Sequence, residues 1–357
     1  MENPNTPLRV GLVGYGYAAR TFHAPLIAAA GGLELAAVCS RDAAKVHADL
    51  PGLAVDATPE ALFARADIDL IVIPTPNDTH HPLARAALLA GKHVVVDKPF
   101  TLDVAQGEEL VALAREHRRV LSVFHNRRWD GDFMTLQQLL QSGELGRVAW
   151  FESHFDRFRP AVRQRWREQA TLGGGSWFDL GPHLLDQALQ LFGSPDAIAL
   201  DRMTQRDGAR TDDGFHAQLR YARGPHAGLR VVLHASALAA APGARFVVHG
   251  THGSYVKHGL DPQEGALKES LRVDPAALDA ETALLTLQDA DNPDLLRTYV
   301  RPVLPARYCA YYEGLRDAIR GGAPNPVPAE DALRVMALIE LGNASDAQRR
   351  ELPVPAR

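Results

Sequence analysis

Along the first third of the chain, short apolar runs alternate with segments of helical spacing. Leu8–Val13, Leu33–Cys39, Leu70–Ile73 and residues 94–96 are compact apolar blocks of the length of buried strands. Between them, residues 19–30 read as a helix, and residues 82–90 form an alanine- and leucine-rich helix that Gly91 can end. Residues 102–117 make another helix with Thr101 available as N-cap, and residues 120–124 add a last strand that closes a domain near residue 124. Strand and helix taken in turn predict a parallel sheet with right-handed crossovers.

Beyond that point the pattern changes. A helix over residues 133–141 precedes a strand-like segment over 148–158, and a helical stretch follows over 179–192. Residues 215–221, 229–238 and 245–249 are rich in β-branched or aromatic side chains and are separated by Gly and Pro turns. These elements predict a second α/β domain built on a mostly antiparallel sheet. Residues 259–305 are charged, proline-punctuated and weakly periodic, and are expected to form long loops. Residues 308–320 and 329–345 read as two amphipathic helices.

Composition narrows the function. The chain has 357 residues, 46% of them hydrophobic, which suffices for two cores. A formal charge of −5 without a basic tail argues against a nucleic-acid partner. No apolar run approaches membrane-spanning length and the polar residues 1–7 do not resemble a signal peptide, so a cytoplasmic location is expected. Cys39 and Cys309 are widely separated, which points to two packed thiols rather than a disulfide framework or thiolate metal site.

Candidate chemistry begins at Gly14-Tyr15-Gly16-Tyr17-Ala18-Ala19, a GxGxxA turn placed between a predicted strand and a predicted helix. Gly14 suits a tight turn, Gly16 lets backbone approach a pyrophosphate, and Ala19 permits close helix packing, so Gly14, Tyr15, Gly16, Tyr17 and Ala18 are candidate dinucleotide contacts. The second strand ends in Ser40-Arg41-Asp42 rather than in the acid that usually takes a ribose 2′-hydroxyl. Ser40 and Arg41 suit a 2′-phosphate and favour NADP, while Asp42, slightly displaced, leaves NAD open. Thr75, Pro76, Asn77 and His80 follow the third strand at the ligand-binding edge, where each could touch the cofactor or simply shape and cap the turn. His80 and His81 lack a carboxylate cluster, so no metal is expected.

Asp97-Lys98-Pro99 puts an amine at the carboxyl end of an apolar strand, the edge where open α/β sheets bind ligands. A cationic Lys98 there could hold a hydroxyl and stabilise a developing alkoxide. Asp179 and His183 are four apart, on one face if the chain is already helical at Asp179, although Pro182 would fit better at a helix start. Arg157, Arg159, Arg163, Arg165 and Arg167 form a basic cluster, read as an exposed loop more readily than as an anion site.

Taken together, these motifs resemble the glucose-fructose oxidoreductase and inositol dehydrogenase (Gfo/Idh/MocA) family. The likeness runs through Gly11 to Ala19, Asp97-Lys98-Pro99 in place of Glu-Lys-Pro, and Gly173-Gly174-Gly175 through Asp179, His183 and Asp186. Residues 17–25, 125–130 and 259–264 are most similar to its NADP-dependent scyllo-inositol dehydrogenase branch. The resemblance implies a Rossmann domain over 1–124 and a substrate-binding and dimerisation domain over 125–357 with a large open sheet, its helices at 308–345 packing back near the first domain. It also implies a catalytic set of Lys98, Asp179 and His183, with Asp97, Asn126, Trp166 and Arg167 as further cofactor contacts. The expected activity is hydride transfer between NADP, or NAD, and a secondary alcohol of a cyclic polyol or sugar, in a homodimer or dimer of dimers. A dinucleotide-dependent sensor or corepressor without turnover, and a lyase- or glycosidase-like enzyme that recycles its NAD, are the alternatives.

Overall fold

The structure, a computed structural model, describes residues 6–163, 168–169, 173–274 and 278–355. Its contacts divide the chain into two units, neither of them contiguous in sequence. The first runs to Trp129 and takes in Pro262–Leu278 and Arg307–Leu333. The second comprises Asp130–Asp261, Asp279–Ala306 and the chain from Arg334 onward. The sequence suggests one cut near residue 124; the division instead returns Pro262–Leu278 and Arg307–Leu333 to the first unit.

In the first unit, β1 (Leu8–Val13), β2 (Leu33–Cys39), β3 (Ala54–Asp56), β4 (Leu70–Ile73), β5 (His93–Val96) and β6 (Leu121–Val123) form a parallel sheet in the order β3-β2-β1-β4-β5-β6. The order reverses direction after β1, which creates the crevice where such sheets take ligands. Every residue of β4 is fully buried, as are Val94, Val95 and Val96, so these strands read as continuous apolar runs and not as alternating ones.

Between β1 and β2 the expected single helix is two pieces: a π-helical turn, Ala19–His23, and α1 (Ala24–Ala29). Pro25 lacks an N–H and its ring crowds the carbonyl four residues back, and the wider turn, closed by Ala24 N–H to Ala19 O, accommodates it. The remaining helices on this sheet are α2 (Ala43–Asp49), α3 (Pro59–Ala64), α4 (His80–Leu89) and α5 (Val104–Glu116). Asp103, not Thr101, caps α5: its carboxylate accepts from Gln106 N at 2.8 Å, while the buried Thr101 hydroxyl donates to Asp103 O.

The second unit is a nine-stranded sheet, β14-β13-β12-β11-β7-β10-β9-β8-β15, antiparallel except where β7 pairs with β10. Its strands are β7 (Val148–His154), β8 (Ala197–Met203), β9 (Gly214–Arg220), β10 (Arg230–Ser236), β11 (Ala244–Gly250), β12 (Gly253–His258), β13 (Thr282–Gln288), β14 (Leu296–Pro302) and β15 (Leu352–Pro353). Along β7, Phe151 and Ser153 are buried while Trp150, Glu152 and His154 are half-exposed, the period of a sheet covered on one face. The helices are α6 (Gly131–Ser142), α7 (Ser176–Phe192), α8 (Gln263–Ser270), α9 (Cys309–Ile319) and α10 (Ala329–Gln348), with α8 and α9 belonging to the first unit. The expectation of long loops over 259–305 is corrected, since that stretch supplies α8 and the β13–β14 hairpin.

Candidate active site

The nucleotide turn is built where β1 ends. Gly14 holds φ +84, a conformation that side chains resist, and its N–H donates to Cys39 O at 2.8 Å. A Cβ at Gly14 would meet only Thr75 at 3.7 Å, so the turns after β1 and β4 adjoin. Gly16 is exposed, and a Cβ there would meet nothing within 4 Å, the open cradle a diphosphate needs. Tyr17 lies half-exposed on this turn and Ala18 follows it, whereas Tyr15 is buried and reaches Asp49 at 3.3 Å. Burial, with Asp49 next, raises the Tyr15 phenol to about 12, so this side chain anchors the turn onto α2 as a neutral hydroxyl.

At the end of β2, Asp42 is committed to capping α2, accepting from Lys45 N at 2.9 Å. Ser40 bonds the Asp42 backbone, and Arg41 is exposed with no ion pair among the described residues. A solvated guanidinium and a hydroxyl thus stand at the carboxyl end of β2, the edge where such sheets hold a dinucleotide ribose. These features fit a bound dinucleotide, with the glycine turn for its diphosphate and Ser40 and Arg41 for its ribose end.

After β4, Pro76 is exposed, Thr75 receives the Thr79 hydroxyl at 2.6 Å, and Asn77 is buried in a short 3-10 turn. His80 is fully buried, with Nδ1 2.8 Å from Pro99 O and Nε2 2.9 Å from Thr75 O. It ties the Thr75 turn to the loop carrying Lys98 and has no surface left for a ligand.

Lys98 follows β5. Asp97 accepts the Lys98 amide at 2.7 Å, and its other oxygen lies 3.7 Å from Nε2 of His23, whose Nδ1 meets the Tyr312 hydroxyl at 2.6 Å. Burial would push the Asp97 carboxyl up, but His23, Lys98 and His80 together hold it down at about 2. An ionised carboxylate therefore holds the peptide that carries the lysine. His23 escapes sequence reasoning because a lone histidine on a helix carries no spacing signal.

In the second unit, Asp179 and His183 lie on α7, which is already helical at Ser176 and continues through Pro182. The i, i+4 spacing therefore puts both on one face. His183 is 7% exposed and stacks on Phe155, with the ring centroids 6.5 Å apart. Asp212, which the sequence does not single out, fixes the start of this helix. Its carboxylate accepts from Trp177 N at 2.7 Å and its carbonyl accepts from Ser176 N at 2.9 Å. Gly175, at φ +90, makes room: a Cβ there would lie 2.1 Å from the Asp212 carboxylate.

Arg157 and Arg159 do not simply project into solvent. With Arg206, Glu168, Asp212 and Asp213 they line a small cavity of about 60 Å³ beside Asp179, and Arg157 lies over the Phe155 ring at 4.6 Å. Asn126 is buried in the 3-10 turn Asn126–Trp129. Arg165, Trp166 and Arg167 lie outside the described residues. Among the described residues no cluster of His, Cys, Asp or Glu could hold a metal ion, and no helix is long and apolar enough to cross a membrane.

Comparison with known proteins decides the family. Residues 8–125 match the NAD-binding Rossmann fold of the oxidoreductase family GFO_IDH_MocA, and residues 137–355 match that family's C-terminal alpha/beta domain. The chain belongs to the Gfo/Idh/MocA oxidoreductases. Among these it is 55% identical to the uncharacterized oxidoreductase YdgJ of Escherichia coli (97% of this chain, 98% of that one). It is 33% identical to the scyllo-inositol 2-dehydrogenase (NADP(+)) IolW of Bacillus subtilis (97% and 95%). The solved structure of YPO2259 from Yersinia pestis, 56% identical, aligns with a TM-score of 0.93 over 99% of this chain and 98% of the other. As a member of the Gfo/Idh/MocA family, the chain is an NAD(P)-binding oxidoreductase.

Proposed function

We propose that this oxidoreductase is an NADP-dependent dehydrogenase acting on a secondary alcohol of a cyclic polyol or sugar. Two arrangements, each within its own unit, support the reading: a strand-end lysine, Lys98, whose amide is held by Asp97, and a carboxylate and an imidazole one helical turn apart on α7. A relative named for NADP-dependent oxidation of scyllo-inositol supports the polyol class. Arg41, exposed and without an ion pair among the described residues, and the committed Asp42 support NADP over NAD.

In this scheme Lys98 Nζ donates to the substrate oxygen and stabilises the charge that develops on it as its proton leaves. His183 takes that proton through an imidazole nitrogen, and Asp179, on the same helix face, orients the ring or relays the proton. NADP, when bound, supplies the hydride acceptor. Phe155 lies near-parallel to the His183 ring, with the centroids 6.5 Å apart.

The test is a screen of inositols and aldoses with NADP and NAD, followed by nicotinamide absorbance. Net NADP reduction with at least one cyclic polyol or sugar is expected. Dinucleotide binding with no net absorbance change across the panel would overturn the dehydrogenase reading.

A further inference from the structure

Helix α8 belongs to the nucleotide-binding unit although it lies more than a hundred residues beyond Trp129 in sequence, and it packs on the turn Ala19–His23 that follows the glycines. Three side chains converge there on Glu264. Tyr17 of the glycine turn reaches Oε1 at 3.4 Å, Lys268 donates to Oε1 at 2.6 Å, and Arg127 donates to Oε2 at 2.6 Å. Lys268 Nζ also lies 5.8 Å from the centroid of the Tyr17 ring, whose π face attracts cations.

Arg127 and Lys268 both bring a positive charge to this carboxylate, and the Tyr17 side chain, next in sequence to the exposed Gly16, links the cluster to the glycine turn. The two cations are also held differently. The Arg127 side chain is 7% exposed, which fixes its ion pair with Glu264, whereas Lys268 is 42% exposed and its ion pair is an i, i+4 surface pair of a kind that contributes little. One cation is built in and the other can move.

We propose that Lys268 is a further dinucleotide-binding residue, an ammonium that leaves Glu264 for the diphosphate at the Gly14–Tyr17 turn. Tyr17 is the surface along which it moves. Glu264, held in place by Arg127, is a positioning residue that keeps the lysine near the turn before the diphosphate arrives. A diphosphate offers two charges where Glu264 offers one, so the exchange is favourable, and it places a side chain over a turn that otherwise offers mainly backbone N–H groups. This proposal rests on the dinucleotide reading above and adds a residue from the far end of the sequence to that site.

Calorimetric titration of the full chain with NADPH, ADP-ribose and 2′-AMP, using wild type, Lys268→Ala, Lys268→Arg and Arg41→Ala, tests it. Loss of one charge-assisted contact should weaken NADPH and ADP-ribose roughly tenfold in Lys268→Ala. Binding of 2′-AMP, which has no diphosphate, should stay unchanged, and Lys268→Arg should recover most of the loss. Arg41→Ala should show the converse, weakening NADPH and 2′-AMP but not ADP-ribose. Wild-type affinity for ADP-ribose in Lys268→Ala, or an equal loss for all three compounds, would overturn the role of Lys268 while leaving the dinucleotide site standing. Failure of the wild type to bind NADPH or ADP-ribose would sink both readings together.

Discussion

Asp97 accepts a hydrogen bond from the backbone amide of Lys98, the residue it precedes, at 2.7 Å, so the carboxylate fixes the peptide that carries the lysine. Its side chain is 13% exposed and its second oxygen faces His23. The folded pKa of about 2 lies below the unfolded value. A depressed carboxyl stabilises the fold above the unfolded pKa near 4, and that contribution, about 2 kcal/mol, is lost as pH falls through about 2. Asp97→Asn should therefore be less stable than wild type at pH 6, with the gap closing between about pH 4 and pH 2. Urea unfolding across that range measures it; a gap that does not change with pH removes Asp97 as its source.

His183→Ala should lower kcat by a factor of about 10² to 10⁴, the usual range for a lost general base. Its affinity for NADPH should be that of wild type. Turnover is read from nicotinamide absorbance and affinity from calorimetry, and unchanged turnover would refute the assignment.

Replacement of Arg41 separates the two cofactors. With its guanidinium gone, the KM for NADP should rise roughly tenfold, the worth of one charge-assisted phosphate contact, with the KM for NAD unchanged. Equal effects on both cofactors would count against a 2′-phosphate at this site.

Asp212→Ala removes the side-chain acceptor of Trp177 N at the start of α7. A lost cap of this kind costs about 1–2 kcal/mol, and because α7 carries Asp179 and His183, kcat should fall alongside. Urea midpoints and steady-state rates on the same preparation check both; full activity with lowered stability would show that the anchor does not position the pair.

The parts legible in sequence are those in which local pattern and tertiary burial agree. Leu8–Val13, Leu33–Cys39 and Leu70–Ile73 are read to the residue, because strands buried on both faces over most of their length are near-continuous apolar runs, broken here only by Arg9 and Glu34 near their starts. The Asp179 and His183 pair follows from spacing once the helix is seen to start at Ser176. The hairpin of β13 and β14 does not announce itself, since β14 is an edge strand with nearly every residue exposed and no buried face to impose a period of two. Helix α8 buries only Gln263 and Leu267, too few for a helical stripe. Asp212 and Glu264 are single acids in polar surroundings, and only the fold shows which backbone amide or cation each one meets.

Assembly of the nucleotide-binding unit from three separated segments has a consequence for synthesis. Arg127 must wait 137 residues for Glu264, and the edge strand β6 waits longer, until Asn325 donates to Leu121 O and Val327 accepts from the Ser122 hydroxyl. A nascent chain emerging from the ribosome therefore cannot complete its first domain first. The amino-terminal sheet stays unsealed along one border until residue 327 has been made, and a fragment cut at residue 129 would carry that raw border permanently.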